Sequence, residues 1–443
     1  SALDASVSGG NNTAIGNSAL SANTSGSTNT AVGKEAMRLT TTGSANVAIG
    51  SEALEENTTG NNNIAIGVHA LGGNTGGNDN TAVGRGALDV NTNGGQNVAI
   101  GFEVLDANTT ASNNTGVGYS ALGANTTGAE NTAVGANSLD TNTTGDRNTA
   151  IGHKALDANT TADYNSAVGA FALGSNTTGT NNATLGYSAM FGNTTGSNNT
   201  SVGANALDSN TTASNNTAVG YLALQANTTG TQNVAVGANA LDANTTASFN
   251  TALGYNALSA NTTGSTNTAV GDQAAQGVTT ADRIVAIGHY AGQAITSGND
   301  NICVGSASLD ANTTGTNNVA VGSFSLGSNT TASNNTAFGY KSLEANTTGD
   351  GNTAVGSGTL DANTTGNYNV GVGLNALTNI TTGSQNVAVG YQALNTASTD
   401  TSNNTAVGYN ALVLNTTGSN NTAVGSLALD ANTTASNITA VGY

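Results

Sequence analysis

A parallel β-solenoid is the fold class the sequence predicts, with 26 coils of 17 residues each. Three observations carry that expectation. Glycine recurs every 17 residues, at Gly16, Gly33, Gly50, Gly67, Gly84 and Gly101 and onward to Gly390, and after one extra residue at Gly408, Gly425 and Gly442. The residues around each glycine form columns of constant chemistry, with the consensus NTAVGYxALDANTTGSN. Between clusters of Asn, Gly and Thr no apolar stretch is long enough for an amphipathic helix, whereas short strands with β-branched residues fit. Self-similarity at a fixed short period is the signature of a stacked repeat architecture.

Each column has a physical reading when the glycine is taken as origin. The residue before it is always apolar, as at Ile15, Val32, Ile49, Val134, Leu185, Phe338 and Val441. Four places after it stands Leu or Met, as at Leu20, Met37, Leu54, Leu139, Met190 and Leu429, failing only at Ala275 and Gly292. If one repeat makes one coil, equal positions stack about 4.8 Å apart. Both apolar columns are then expected to fill a narrow interior, so that replacing Val236 or Leu241 with Asp opens the stack. Two places before the glycine a small residue, usually Ala, points the opposite way to the apolar one, because side chains alternate along a strand. This stripe is expected to be a lateral contact between copies about a threefold axis, the alternative being a second buried wall inside a flattened coil.

Asparagine stands four places before the glycine except at Ile284 and Ile438, and again seven places after it, as at Asn23, Asn57, Asn108 and Asn432. Stacked amides can bond their own kind one rung up and down. The chain is expected to be one continuous solenoid over residues 1–443, with degenerate coils at 272–300 and a one-residue insertion bulging from a turn within 395–402.

Composition bounds the function. Seven Lys and Arg against 25 Asp and Glu give a net charge of −18, which argues against nucleic acid and anionic lipid as partners. One cysteine, Cys303, excludes an internal disulfide framework. Ser1 is followed by no basic-then-apolar leader, and nowhere is there an apolar run of spanning length; the chain reads as a processed product or a segment of a longer one, with no membrane insertion.

The run NTAVG, at Asn216–Gly220 and Asn421–Gly425 with near copies throughout, resembles the coil motif of trimeric autotransporter adhesin heads. The longer unit from Gly254 to Gly271 resembles repeats of phage tail-fibre-like and bacterial surface proteins. The resemblance covers the whole chain and implies a left-handed parallel β-roll, trimeric laterally and extracellular or on the cell surface. Adhesin-head repeats are shorter, and no coiled-coil stalk or anchor is seen here.

Laid end to end, Gly442 and Tyr443 followed by Ser1, Ala2, Leu3 and Asp4 spell an in-phase repeat, and Val441 continues the apolar column. These residues are the candidate subunit junction of a head-to-tail homopolymer. The expected function is therefore a structural subunit of an extracellular filament. The second reading is a rod segment of a trimeric adhesin or viral tail fibre whose binding tip lies elsewhere.

No catalytic, cofactor-binding or metal-binding residues are expected. The acid column five places after the glycine, including Asp4, Asp89, Asp106, Asp140, Asp157, Asp208, Asp310 and Asp430, is interrupted by Gly123, Gln225 and Gly327 and reads as solubilising charge. His69, His153 and His289 stand in distant rungs, and no nucleophile has a base at repeat spacing, so the chain is not expected to be an enzyme. Tyrosines one place after the glycine, such as Tyr119, Tyr187, Tyr221, Tyr255, Tyr391 and Tyr409, are expected to project outward, which makes surface glycans a candidate partner.

Overall fold

The computed structural model describes residues 1–5, 8–396 and 401–443. It is all-β: 26 three-residue strands run from β1 (Thr13–Ile15) to β26 (Thr439–Val441), each at the same place in a 17-residue coil, with turns and bends between them and no helix among the described residues. The chain is a parallel β-solenoid. It falls into two compact units, Ser1–Ala218 and Val219–Tyr443, with β13 (Thr217–Val219) at the division.

In the first unit each strand from β1 to β12 (Thr200–Val202) pairs in parallel with the next, in the register the period dictates: Thr13 with Thr30, Ala14 with Ala31, Ile15 with Val32. In the second unit the same ladder runs from β14 (Val234–Val236) to β26, Val234 meeting Thr251 and Ala235 meeting Ala252. Residues 397–400, half of the stretch in which the insertion is expected, lie outside the described residues. On either side of them β23 (Val387–Val389) and β24 (Thr405–Val407) pair in the common register, Ala388 opposite Ala406.

Each coil turns through left-handed backbone at three non-glycine columns, exemplified by Asn239 (φ 55°), Leu241 (φ 52°) and Phe249 (φ 64°). Such conformations are costly for L-residues outside glycine, at about 1–2 kcal/mol each, and are held here because every turn is bonded to the equivalent turn one coil away. The origin glycine cannot be replaced. Gly237 has φ 135°, and a Cβ there would lie 2.4 Å from the carbonyl oxygen of Gly254 in the next coil.

The interior corrects the expected assignment of the strand faces. Within the strand the alanine column is the buried one, at 0% exposure in Ala31, Ala48, Ala235 and Ala252. The Val/Ile column is turned outward, with Ile49 41%, Leu253 47% and Phe338 55% exposed, and no member of that column is buried, Val236 included. The reading of Val236 as inward and of alanine as a lateral threefold contact is overturned: alanine is the buried wall. The reason is the bore of the coil. Leu241 and the preceding Ala240 enter the same interior fully buried, and the space left for the strand's inward column takes only small side chains, from Ala to Thr184, Ser201 and Cys303. Leu20, Leu54, Leu139 and their equivalents are buried as expected.

Both asparagine columns are buried, and they build the polar half of the interior. Asn46 donates from Nδ2 to Asn29 Oδ1 at 3.2 Å, while Asn29 Oδ1 also accepts the backbone N–H of Asn46 at 3.0 Å. In the second column Asn91 donates to Asn74 Oδ1 at 2.9 Å. The two columns converge on one backbone oxygen, the Gly94 carbonyl accepting from Asn91 and from Asn80 at 2.9 Å each. A buried amide so satisfied stabilises the turn it spans, whereas an unpaired one would cost about 1–3 kcal/mol.

Candidate assembly surfaces

Coil-on-coil stacking is the first candidate surface. Beyond the parallel strands, the turns contribute a threonine carbonyl ladder, in which Thr75 O accepts from Thr58 N at 3.0 Å, Thr59 N at 3.1 Å and Thr58 Oγ1 at 2.9 Å. This explains the adjacent threonine pair: Thr58 faces the neighbouring coil and Thr59 faces solvent.

Of the residues expected at a junction, Leu3, Val441 and Gly442 hold the geometry of their columns. Leu3 has φ 57°, matching the leucine column, and its N–H donates to Ala19 O at 3.1 Å as Leu20 does to Ala36 O at 2.9 Å. The Ser1 ammonium lies 3.5 Å from Asp4 Oδ2, and Ala2 is half-buried. At the other end Val441 pairs with Val424, and Gly442 donates to Val424 O at 2.9 Å. In that last coil Ala440 and Ile438 are only half-buried, where equivalent residues inside the units are fully buried; Val441 is 78% and Tyr443 96% exposed.

The second surface is the outer face of the strands. It carries the first and third residues of each strand, Thr, Val, Ile, Ser or Ala followed by Val, Ile, Leu or Phe, and no charged residue occupies either column in any of the 26 strands. Beside it the tyrosines project outward as expected, Tyr119 at 55%, Tyr187 at 58% and Tyr255 at 51% exposure, and stack on one another where rungs match, the Tyr391 and Tyr409 rings lying 5.4 Å apart. Within each unit this uncharged face sets a column of Val, Ile, Leu and Phe beside one that is mostly Thr. The sequence held a sign of this arrangement in the tolerance of the columns. The position that admits Phe338 and Leu185 has room outside, and the one confined to Ala, Gly, Ser, Thr and Cys does not.

The third feature is the acid column. Asp89, Asp106, Asp140, Asp208, Asp242, Asp310 and Asp361 are partly covered by neighbouring turns, and loss of water pushes each carboxyl above its ordinary value. For Asp140 the like charge of Asp157 adds to this, and for Asp106 that of Glu103. Exposed acids facing arginine one rung away shift the other way: Arg147 lowers Glu130 and Arg283 lowers Asp300, with N–O separations of 2.8 and 2.5 Å. Among the described residues no group of three or more His, Cys, Asp or Glu stands close enough to hold a metal. Cys303 lies in the alanine column opposite Ala286 and Ala320, fully buried, and burial pushes its thiol up, which makes it an inert core residue.

No known family model matches this chain, and a search of the curated proteins finds no match.

Proposed function

We propose that the chain is a structural subunit of an extracellular filament, built head to tail by coil-on-coil stacking and thickened laterally through the uncharged outer face of the strands. The observation that carries this reading is the uniformity of the coil interface. The same Leu, Ala and Asn columns meet their own kind at step after step within each unit, so a terminal coil presents the surface that the next coil already buries elsewhere. Leu3 and Gly442 already hold the φ values of their columns, so docking an in-phase copy requires no rearrangement at either residue.

The uncharged outer face also supports the second reading, a rod segment of a trimeric adhesin or viral tail fibre, since three copies could pack through it. The extracellular or cell-surface location belongs to both readings through the resemblance of the repeats.

Electron microscopy of the purified protein separates them. Filaments that lengthen with concentration are expected for the first, and Leu3→Asp should abolish growth. Trimeric particles of fixed length at every concentration would favour the second, and monodisperse single chains would sink both.

A further inference from the structure

We propose that a cleft on the first unit, walled by Phe171 and Phe191, binds a neutral pyranose sugar. This goes beyond the filament reading and does not depend on it. Aromatic residues are scarce in this chain, with six Phe, eleven Tyr and no Trp. Yet Phe171 meets Phe191 at a centroid distance of 6.3 Å and Tyr187 at 6.0 Å, both edge to face, and His153 at 5.2 Å. The two phenylalanine rings stand nearly perpendicular, at 83°, and line a cleft of about 330 Å³ whose other walls include Lys154, Asp157 and Gly174. A second hollow of about 270 Å³ shares the same two rings and adds Tyr187. The first volume lies at the small end of ligand sites, which run from roughly 300 to 1,000 Å³.

The cleft exists because the repeat is broken here in three adjoining places. Phe191 occupies the acid column, Gly174 empties that column one rung below, and Phe171 sits at a left-handed position (φ 60°) that other coils fill with Asn205, Asn239 or Asn256. A Cβ on Gly174 would stand 3.0 Å from Cδ2 and Cε2 of Phe191, so the missing side chain is what lets that ring lie across the rung.

The chemistry of the walls selects the ligand. Ring faces accept the apolar C–H side of a pyranose. Asp157 and Lys154, with their charges 3.6 Å apart and both part-exposed, offer acceptors and donors to hydroxyl groups while remaining neutral as a pair. A cationic ligand would enjoy the rings but meet Lys154, and an anionic one would meet a chain of net charge −18.

The second unit holds a partial copy, Phe324 edge to face with Tyr340 at 6.3 Å beside Gly327. There Glu344 replaces the second ring and Ala307 replaces the lysine.

Titration calorimetry of the full chain with hexasaccharides of β-linked glucose, mannose and xylose tests the proposal, and its heat is read whether or not the protein forms filaments. Binding of at least one hexasaccharide is expected, weakened about tenfold or more by Phe171→Ala and Phe191→Ala. It should also be lost in Phe191→Leu, which keeps bulk without a ring, and in Gly174→Asp, and be retained in Phe324→Ala, with melting unchanged in each. No heat with any of the three sugars, unaltered binding in Phe191→Leu, equal loss in Phe324→Ala, or binding of choline in place of sugar would overturn it.

Discussion

Two stretches of the second unit solve the same packing problem with different residues. In the regular coils, Leu241 and Leu258 fill the apolar half of the bore while Asn244 and Asn261 form the polar half. In the degenerate stretch, Leu gives way to Ala275 and Gly292, and the second Asn gives way to Val278 and Ile295 in the same coils. All four remain fully buried or on buried backbone, and β16 (Thr268–Val270), β17 (Val285–Ile287) and β18 (Ile302–Val304) keep the common register. The substitutions compensate by volume: a Cβ on Gly292 would lie 2.9 Å from Ile295 Cδ1, so the isoleucine fills the space that leucine occupies elsewhere. What the degenerate coils lose is the amide ladder. Among the described residues Asn261 Oδ1 finds no donor where Val278 interrupts the ladder, and the same holds for Asn363 Oδ1 below Ile380. At Gly292 and Ile295 the two columns trade volume, while Leu377 and Ile380 are both fully buried in one coil; in either case the change of polarity costs one unpaired acceptor.

Ways to break this comparison begin with the face of the coil. Leu241→Asp should destabilise the second unit by about 4 kcal/mol or more, through a lost core side chain and a buried carboxylate. Val236→Asp, on the outer face of the neighbouring strand, should stay within about 0.5 kcal/mol; equal losses in urea unfolding would refute the corrected assignment. Volume compensation is tested by Gly292→Leu, which should cost about 1–3 kcal/mol by overpacking. Adding Ile295→Asn should recover part of that loss, a coupling of about 0.5–3 kcal/mol in a double-mutant cycle. Strict additivity would show that the two positions are independent.

The ladder itself yields a finer contrast. Asn244 donates to Asn227 at 2.9 Å and accepts from Asn261 at 3.1 Å, while Asn261 stands at the ladder's end with its own Oδ1 unpaired. Asn244→Ala should therefore be more destabilising than Asn261→Ala by about 1 kcal/mol, one hydrogen bond.

The smallest effect is on pH dependence. A carboxyl whose folded value is raised binds its proton more tightly in the native state, so its contribution to stability is full below the ordinary carboxylate value of 3.8 and is lost as pH rises through the raised one. Seven such aspartates outnumber the lowered Glu130 and Asp300, so the melting temperature should rise slightly between pH 7 and pH 4. A fall over that range would show that the arginine-paired acids dominate.

The period, the columns and the amide ladders were legible in the chain, because a stacked structure repeats its chemistry at the spacing of its coils. Leu241 could be placed inward on that ground, and Asn46 and Asn91 in amide ladders, either inward or lining a turn. Neither the aromatic cleft nor the sense of the strand was. Phe171, Gly174 and Phe191 are separate irregularities in one dimension, and they become neighbours only when successive rungs are laid over each other. Alternation along Thr-Ala-Val states that alanine and valine face opposite ways, and hydrophobicity favours valine for the inside. The decision belongs to the closed coil, where leucine from the opposite wall leaves space for a small side chain and sends the larger one out into solvent.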